Sequence, residues 1–144
     1  MSYAIILIPI VVAVTVQVIK ALVDFFKGDF SFASLYSYGG MPSGHAAFMT
    51  SAVVAIYWYA GPASPVFALS IIFTILVIRD ALALRQQISE HSKTLNKLIK
   101  ELPDKREYTY PVLQERVGHS ILQVSAGIAT GLVLTLILVR FAFI

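Results

Sequence analysis

The sequence predicts an all-α integral membrane protein: a bundle of about four transmembrane helices with an amphipathic helical extension between the third and the fourth. Three observations predict it. Of 144 residues, 58% are hydrophobic and only 13% are charged, which is too apolar for a soluble domain of this size. The apolar residues gather in four long runs, and roughly 20 such residues span a hydrocarbon core. After the third run the apolar residues continue at helical spacing while lysines collect away from them, the pattern of an amphipathic helix. The length suits a single domain, 1–144. Without cysteine there is no disulfide framework, thiol nucleophile or cysteine-based metal site. The net charge of +3 lies mostly in one loop, so it speaks to membrane topology rather than to nucleic acid.

The first run, Tyr3 to about Val23, has no charge before Lys20. It lacks a basic leader and a small-residue cleavage site, so it reads as a retained helix. Pro9 is a potential kink. Lys20 and Asp24 are spaced for an i,i+4 pair. Residues 27–40 form a connection rich in serine, phenylalanine and tyrosine, suited to a membrane interface. The second run, Ser43 to Ala60, is opened by Gly39-Gly40-Met41-Pro42-Ser43-Gly44-His45 and closed by Tyr57, Trp58 and Tyr59. Gly61 to Pro65 is a tight turn. The third run starts at Val66 and contains no breaker, so its helix continues beyond Leu84 to Leu102. Leu84, Ile88, Leu95, Leu98, Ile99 and Leu102 fall near one stripe there, and Lys93, Lys97 and Lys100 lie away from it. His91 reads as a solvated residue of this extension. A charged loop over 103–114 precedes the fourth run, which extends from near Gly118 to near Phe143.

Four spans place the ends of the first and third helices and the starts of the second and fourth on one side of the bilayer. That side receives Lys20, His45, Arg79, Asp80, Arg85, Glu115, Arg116 and His119. Ionisable residues at membrane depth are expensive and mark functional sites. The turn at Pro42-Ser43-Gly44 supplies a helix N-terminus, whose unpaired N–H groups and positive dipole end favour an anion such as phosphate. Two histidines at two helix starts suit a two-step phosphoryl transfer, one attacking phosphorus and the other protonating the leaving oxygen and then activating water. Lysine and arginine neutralise the phosphoryl oxygens, so this chemistry requires no metal and no cofactor.

Pro42-Ser43-Gly44-His45 resembles the central motif of the type 2 phosphatidic acid phosphatase superfamily, which includes vanadium haloperoxidases. The longer pattern is similar to that of its small divergent branch: Gly39 to His45, Arg79-Asp80-Ala81 through Arg85, Leu95-Asn96, Gly118-His119-Ser120, and Val124 with Ala126-Gly127. The resemblance implies that His119 is the nucleophile, that His45 is the general acid, and that Ser43 and Gly44 bind phosphate. Lys20 matches the lysine that opens the first superfamily motif. The arginine expected seven residues later is Lys27, and the proline after it is Gly28. Where the superfamily has Ser-Arg ahead of the nucleophile this chain has Val112 and Leu113, so Arg85, then Arg116 and Arg79, are the candidate replacements. The carboxylate expected four residues after the nucleophile is Gln123, whose carbonyl can accept the histidine Nδ1–H bond. Asp80 or Glu115 is the candidate to take the place of that carboxylate.

The expected activity is hydrolysis of a lipid phosphomonoester or diphosphate at the bilayer surface. The alternative is a membrane protein that binds or carries anionic lipid headgroups without turnover. The expected partners are a lipid phosphate and the bilayer, with no nucleic acid. A four-helix bundle is thin, which a homodimer would remedy. Arg85, Lys93, Lys97, Lys100, Lys105, Arg106 and Arg116 share one connection, whereas Gly61–Pro65 has no charge. Short basic loops stay cytoplasmic, so the expectation is a multi-pass protein of the cell membrane with its site facing the cytoplasm.

Overall fold

The computed structural model describes residues 2–26, 40–102, 110–113, 115 and 120–141, and these contain helices and connections but no strand. The order is α1 (Ser2–Phe26), α2 (Gly44–Ala60), α3 (Pro65–Arg79), a π-helical turn (Asp80–Leu84), α4 (Arg85–Glu101) and α5 (Ile121–Phe141). Tyr3–Phe26, the unbroken run Pro65–Glu101, and Ile121–Phe141 are each long and apolar enough to cross a membrane. The 17 residues of α2 make a helix about 25 Å long.

Local chemistry sets the boundaries. Ser43 caps α2 and Ser64 caps α3, each accepting a backbone N–H three residues on. Pro65 follows at the first helical position, where its missing N–H costs nothing. Gly61 ends α2 with φ 82° and donates its N–H to Tyr57 O at 3.1 Å. The short link from Gly61 to Ser64 reverses the chain, so α3 runs back along α2. Tyr57 and Phe67 meet across this turn with ring centroids 5.6 Å apart and planes tilted by 57°.

α2 is the hub, touching α1, α3 and α5. Buried residues recur every fourth position on the three helices of the core: Ala4, Ile8, Val12, Val16 and Lys20 on α1, Ala47, Ser51 and Ala55 on α2, and Gly127, Gly131, Thr135 and Val139 on α5. Such i,i+4 rows are the ridges along which helices pack, and small residues let backbones approach closely in a bilayer. Midway along α2, the buried Ser51 and Thr135 hydroxyls share a hydrogen bond of 2.7 Å. Thr15, Thr74 and Thr130 donate to carbonyls one turn back, so their hydroxyls need no water. α3 buries no residue, and Leu69, Ile72, Phe73, Ile75 and Leu76 are each more than half exposed, as suits a lipid-facing helix.

Three boundaries differ from the sequence reading. α1 continues to Phe26. The third helix runs unbroken to Glu101 but passes through a π-helical turn. α5 starts at Ile121 rather than near Gly118, because Ser120 is its cap. On α4 the expected stripe is present, with Ile88, Leu95 and Leu98 exposed, as is Leu102 just after the helix, while the small polar residues Ser89, Ser92 and Asn96 are buried.

Candidate functional site

The buried row of α1 ends in a cation. Lys20 is 7% exposed, the last member of a row that is otherwise Ala, Ile and Val. Its side chain lies against Gly40, where a built Cβ would stand 3.2 Å from Lys20 Cε and 3.9 Å from Nζ. Gly40 also has φ 95°, so this position needs glycine both for its backbone and for the lysine beside it. Lys20 therefore reaches the turn that opens α2, which contains a cis Met41–Pro42 peptide bond.

Ser43 is wholly buried and joins two helices. Its N–H donates to Gln123 O at 3.0 Å, its Oγ accepts the Ala46 N–H at 3.4 Å, and its carbonyl accepts the Ala47 N–H at 3.1 Å. The Ser43 N–H is thus committed to docking the turn on α5. The Gly44 N–H, at the first helical position, has no intrahelical acceptor, and His45 follows it with an exposed side chain.

The start of α5 is a reciprocal cap. Gln123 N–H donates to Ser120 Oγ at 3.2 Å, and Ser120 N–H donates to Gln123 Oε1 at 2.8 Å. This is a capping box, in which a Ser and a Gln three residues on satisfy each other's free donors. The Gln123 carbonyl, expected from the sequence to orient His119, is engaged here in the cap. His119 and Arg116 lie outside the described residues, as does Lys27. Gly127 lies one turn beyond Gln123, packed so tightly on α2 that a Cβ would overlap the Ser43 carbonyl oxygen. Its lack of a side chain lets the two helix starts meet.

Arg79 and Asp80 return with α3 to the end of the bundle that holds Ser43, Arg79 exposed and Asp80 half-buried. Asp80 opens the π-helical turn, a feature frequent at functional sites. Arg85 opens α4, but its side chain lies outside the described residues. Glu115 belongs to a second cluster with Asn96. Among the described residues, no group of three His, Asp or Glu side chains gathers to hold a metal.

Lys20, Ser43 and Gln123 stand out in the sequence, and the fold brings their segments together. Ser120 and Gly40 do not stand out there as single residues. The Ser-x-x-Gln spacing ahead of an apolar run is a legible signal for the first. For the second, nothing in the sequence says that a lysine packs on it.

The pattern of the Divergent PAP2 family matches residues 1–134, from α1 into α5. The chain belongs to the Divergent PAP2 family. It is 34% identical over 139 residues to the "Uncharacterized membrane protein YuiD" of Bacillus subtilis (strain 168), a match covering 87% of each chain. No solved structure matches it. For this Divergent PAP2 protein, membership and the three apolar helices agree on a membrane protein related to phosphatases.

Proposed function

We propose that this protein is a membrane lipid phosphatase acting on a phosphomonoester or diphosphate. The observation that carries the reading is the burial of Lys20 against the Gly40 turn, with that turn bonded through Ser43 to the first turn of α5. A cation held out of water beside a helix N-terminus is a ready anion site. In the proposed reaction a neutral His119 nitrogen forms a bond to phosphorus as the P–O bond to the leaving group breaks. His45 gives its proton to the departing oxygen. His45 then takes a proton from water as the oxygen attacks phosphorus, and the P–N bond breaks to release inorganic phosphate. Lys20, the Gly44 N–H and an arginine among Arg79, Arg85 and Arg116 balance the phosphoryl charge. The basic connection between Arg85 and Arg116 favours a cytoplasmic site and an inner-leaflet substrate.

One observation favours a second reading, binding of anionic lipid headgroups without turnover. Gln123 carries no charge and its carbonyl serves the cap, so it stabilises an imidazolium less than a carboxylate does. Phosphate release by purified protein in mixed micelles, tested on phosphatidate, phosphatidylglycerophosphate and prenyl phosphates, separates the two. Turnover is expected, and expected to vanish in His119→Ala and to fall severely in His45→Ala. Full activity in either variant would remove the assigned roles. Binding of these lipids with no release from any of them would establish the second reading.

A further inference from the structure

Asn96 makes a set of contacts that neither the helix it belongs to nor the proposed chemistry accounts for. It is 7% exposed, on the buried side of α4. Its Nδ2 donates to Leu113 O at 2.9 Å and to Glu115 Oε1 at 2.9 Å, and its Oδ1 accepts the Leu113 N–H at 3.0 Å. The carboxamide pairs with the Leu113 peptide unit as one strand residue pairs with another, and the remaining N–H takes the carboxylate. A connecting segment meets its backbone hydrogen bonds with water at little cost. A buried side chain used for this purpose therefore fixes position rather than relieving an unsatisfied group.

The position fixed is informative. Glu115 precedes His119 by four residues, and Ser120 follows it directly. Glu115 is tied to α4 through Asn96. Ser120 is tied to α5 through Gln123, and Gln123 to α2 through Ser43. Glu115 and Ser120, the described residues on either side of His119 in the sequence, are thus bonded to two different helices. We infer that Asn96 and Glu115 form a clamp that positions His119, making Asn96 a positioning residue acting through the 113–115 segment. The role rests on the phosphatase reading for its purpose, not for its geometry. In this arrangement α4 is a strut that holds the approach to α5.

Asn96→Asp is nearly isosteric. It keeps the acceptor for the Leu113 N–H, but loses both donated bonds and sets an anion against Glu115. Glu115→Ala removes one arm at an exposed position, where the fold is not at risk. The chain has three histidines, His45, His91 and His119, so NMR of 13C-histidine-labelled protein in detergent yields resonances that single substitutions assign. Both variants are expected to shift or split the His119 resonance and leave that of His45 in place. Adding Glu115→Gln to Asn96→Asp restores a donor to the pair and is expected to move His119 part-way back. With a turned-over lipid phosphate, kcat is expected to fall about 100-fold in Asn96→Asp, as for a reacting group misplaced by about 1 Å. KM is expected to change less than kcat, because Lys20 and the Ser43 turn are untouched. An unmoved His119 resonance in Glu115→Ala and in folded Asn96→Asp overturns the clamp. If His119 responds but the wild type releases phosphate from no lipid, the phosphatase reading fails and the clamp stands.

Discussion

Substituting Gly127 by alanine tests the closest approach in the fold. A methyl group there overlaps the Ser43 carbonyl oxygen and stands 3.0 Å from Ala46 Cβ and 3.1 Å from Ser43 Cβ. These atoms belong to the backbone and first turn of a capped helix, so none can swing aside. α5 must instead recede from α2, stretching the 3.0 Å bond from Ser43 N–H to Gln123 O. Overpacking costs about 1–3 kcal/mol, and the lost bond adds about 1 kcal/mol. Near 3 °C per kcal/mol for a chain of this size, the melting temperature is expected to fall by roughly 6–12 °C. Gly131→Ala belongs to the same class, since its methyl overlaps the Ala47 carbonyl oxygen and lies 2.8 Å from Ala47 Cα. Gly44→Ala is the control: its methyl meets nothing within 4 Å, so stability is expected to stay within about 1 kcal/mol of wild type. Thermal unfolding of the purified protein in detergent, followed by circular dichroism, reads all three. If Gly127→Ala melts with the wild type, or Gly44→Ala falls as far, the close helix contact is wrong.

Three further outcomes are expected. Lys20→Met keeps the apolar stem and removes the charge, so the fold holds while KM for a lipid phosphate rises about 10–100-fold, the worth of one charge-assisted bond; unchanged KM would remove Lys20 from the site. Gln123→Glu retains the capping box and adds an anion at a helix N-terminus, for a gain of about 0.3–1 kcal/mol, whereas Gln123→Ala loses the cap; a Gln123→Glu protein that melts below Gln123→Ala contradicts the cap. In this cysteine-free chain, Ala63→Cys and Thr94→Cys place thiols at exposed positions on the two connections. A membrane-impermeant maleimide on intact cells is expected to label the first and spare the second, and the reverse pattern places the site outside.

Hydropathy makes the helices legible, since each apolar run has only to satisfy its backbone internally to exist in lipid. The turns are equally plain, because Gly61 and the Ser64-Pro65 cap have fixed backbone roles. Which face of a helix packs is harder to read. In α1, apolar residues surround the axis, and only packing singles out Ile8, Val12 and Val16. Lys20 stands out for its charge, yet its burial against Gly40 depends on helix approach, which has no local signature. Gln123 carries two signals: the Ser-x-x-Gln spacing points to the cap, which the structure shows, and the spacing from His119 points to a histidine partner. Asn96 stands out only within a motif, because its partners lie 17 and 19 residues on and nothing local announces them.

The π-helical turn at Asp80–Leu84 acts as a phase slip in a screw. Each residue of an α-helix advances the side chains by about 100°, and a π-bulge widens one turn. The faces of α3 and α4 are therefore not in the register that unbroken α-helical winding would set. α3 presents apolar residues to its surroundings, while α4 turns Asn96 toward Leu113. A one-residue deletion from α3 that the bulge does not absorb would leave both helices intact but swing α4 by about 100° about its axis. Asn96 would then face away from the segment that leads to His119. The length of this short stretch, more than its composition, sets which side of the strut meets that segment.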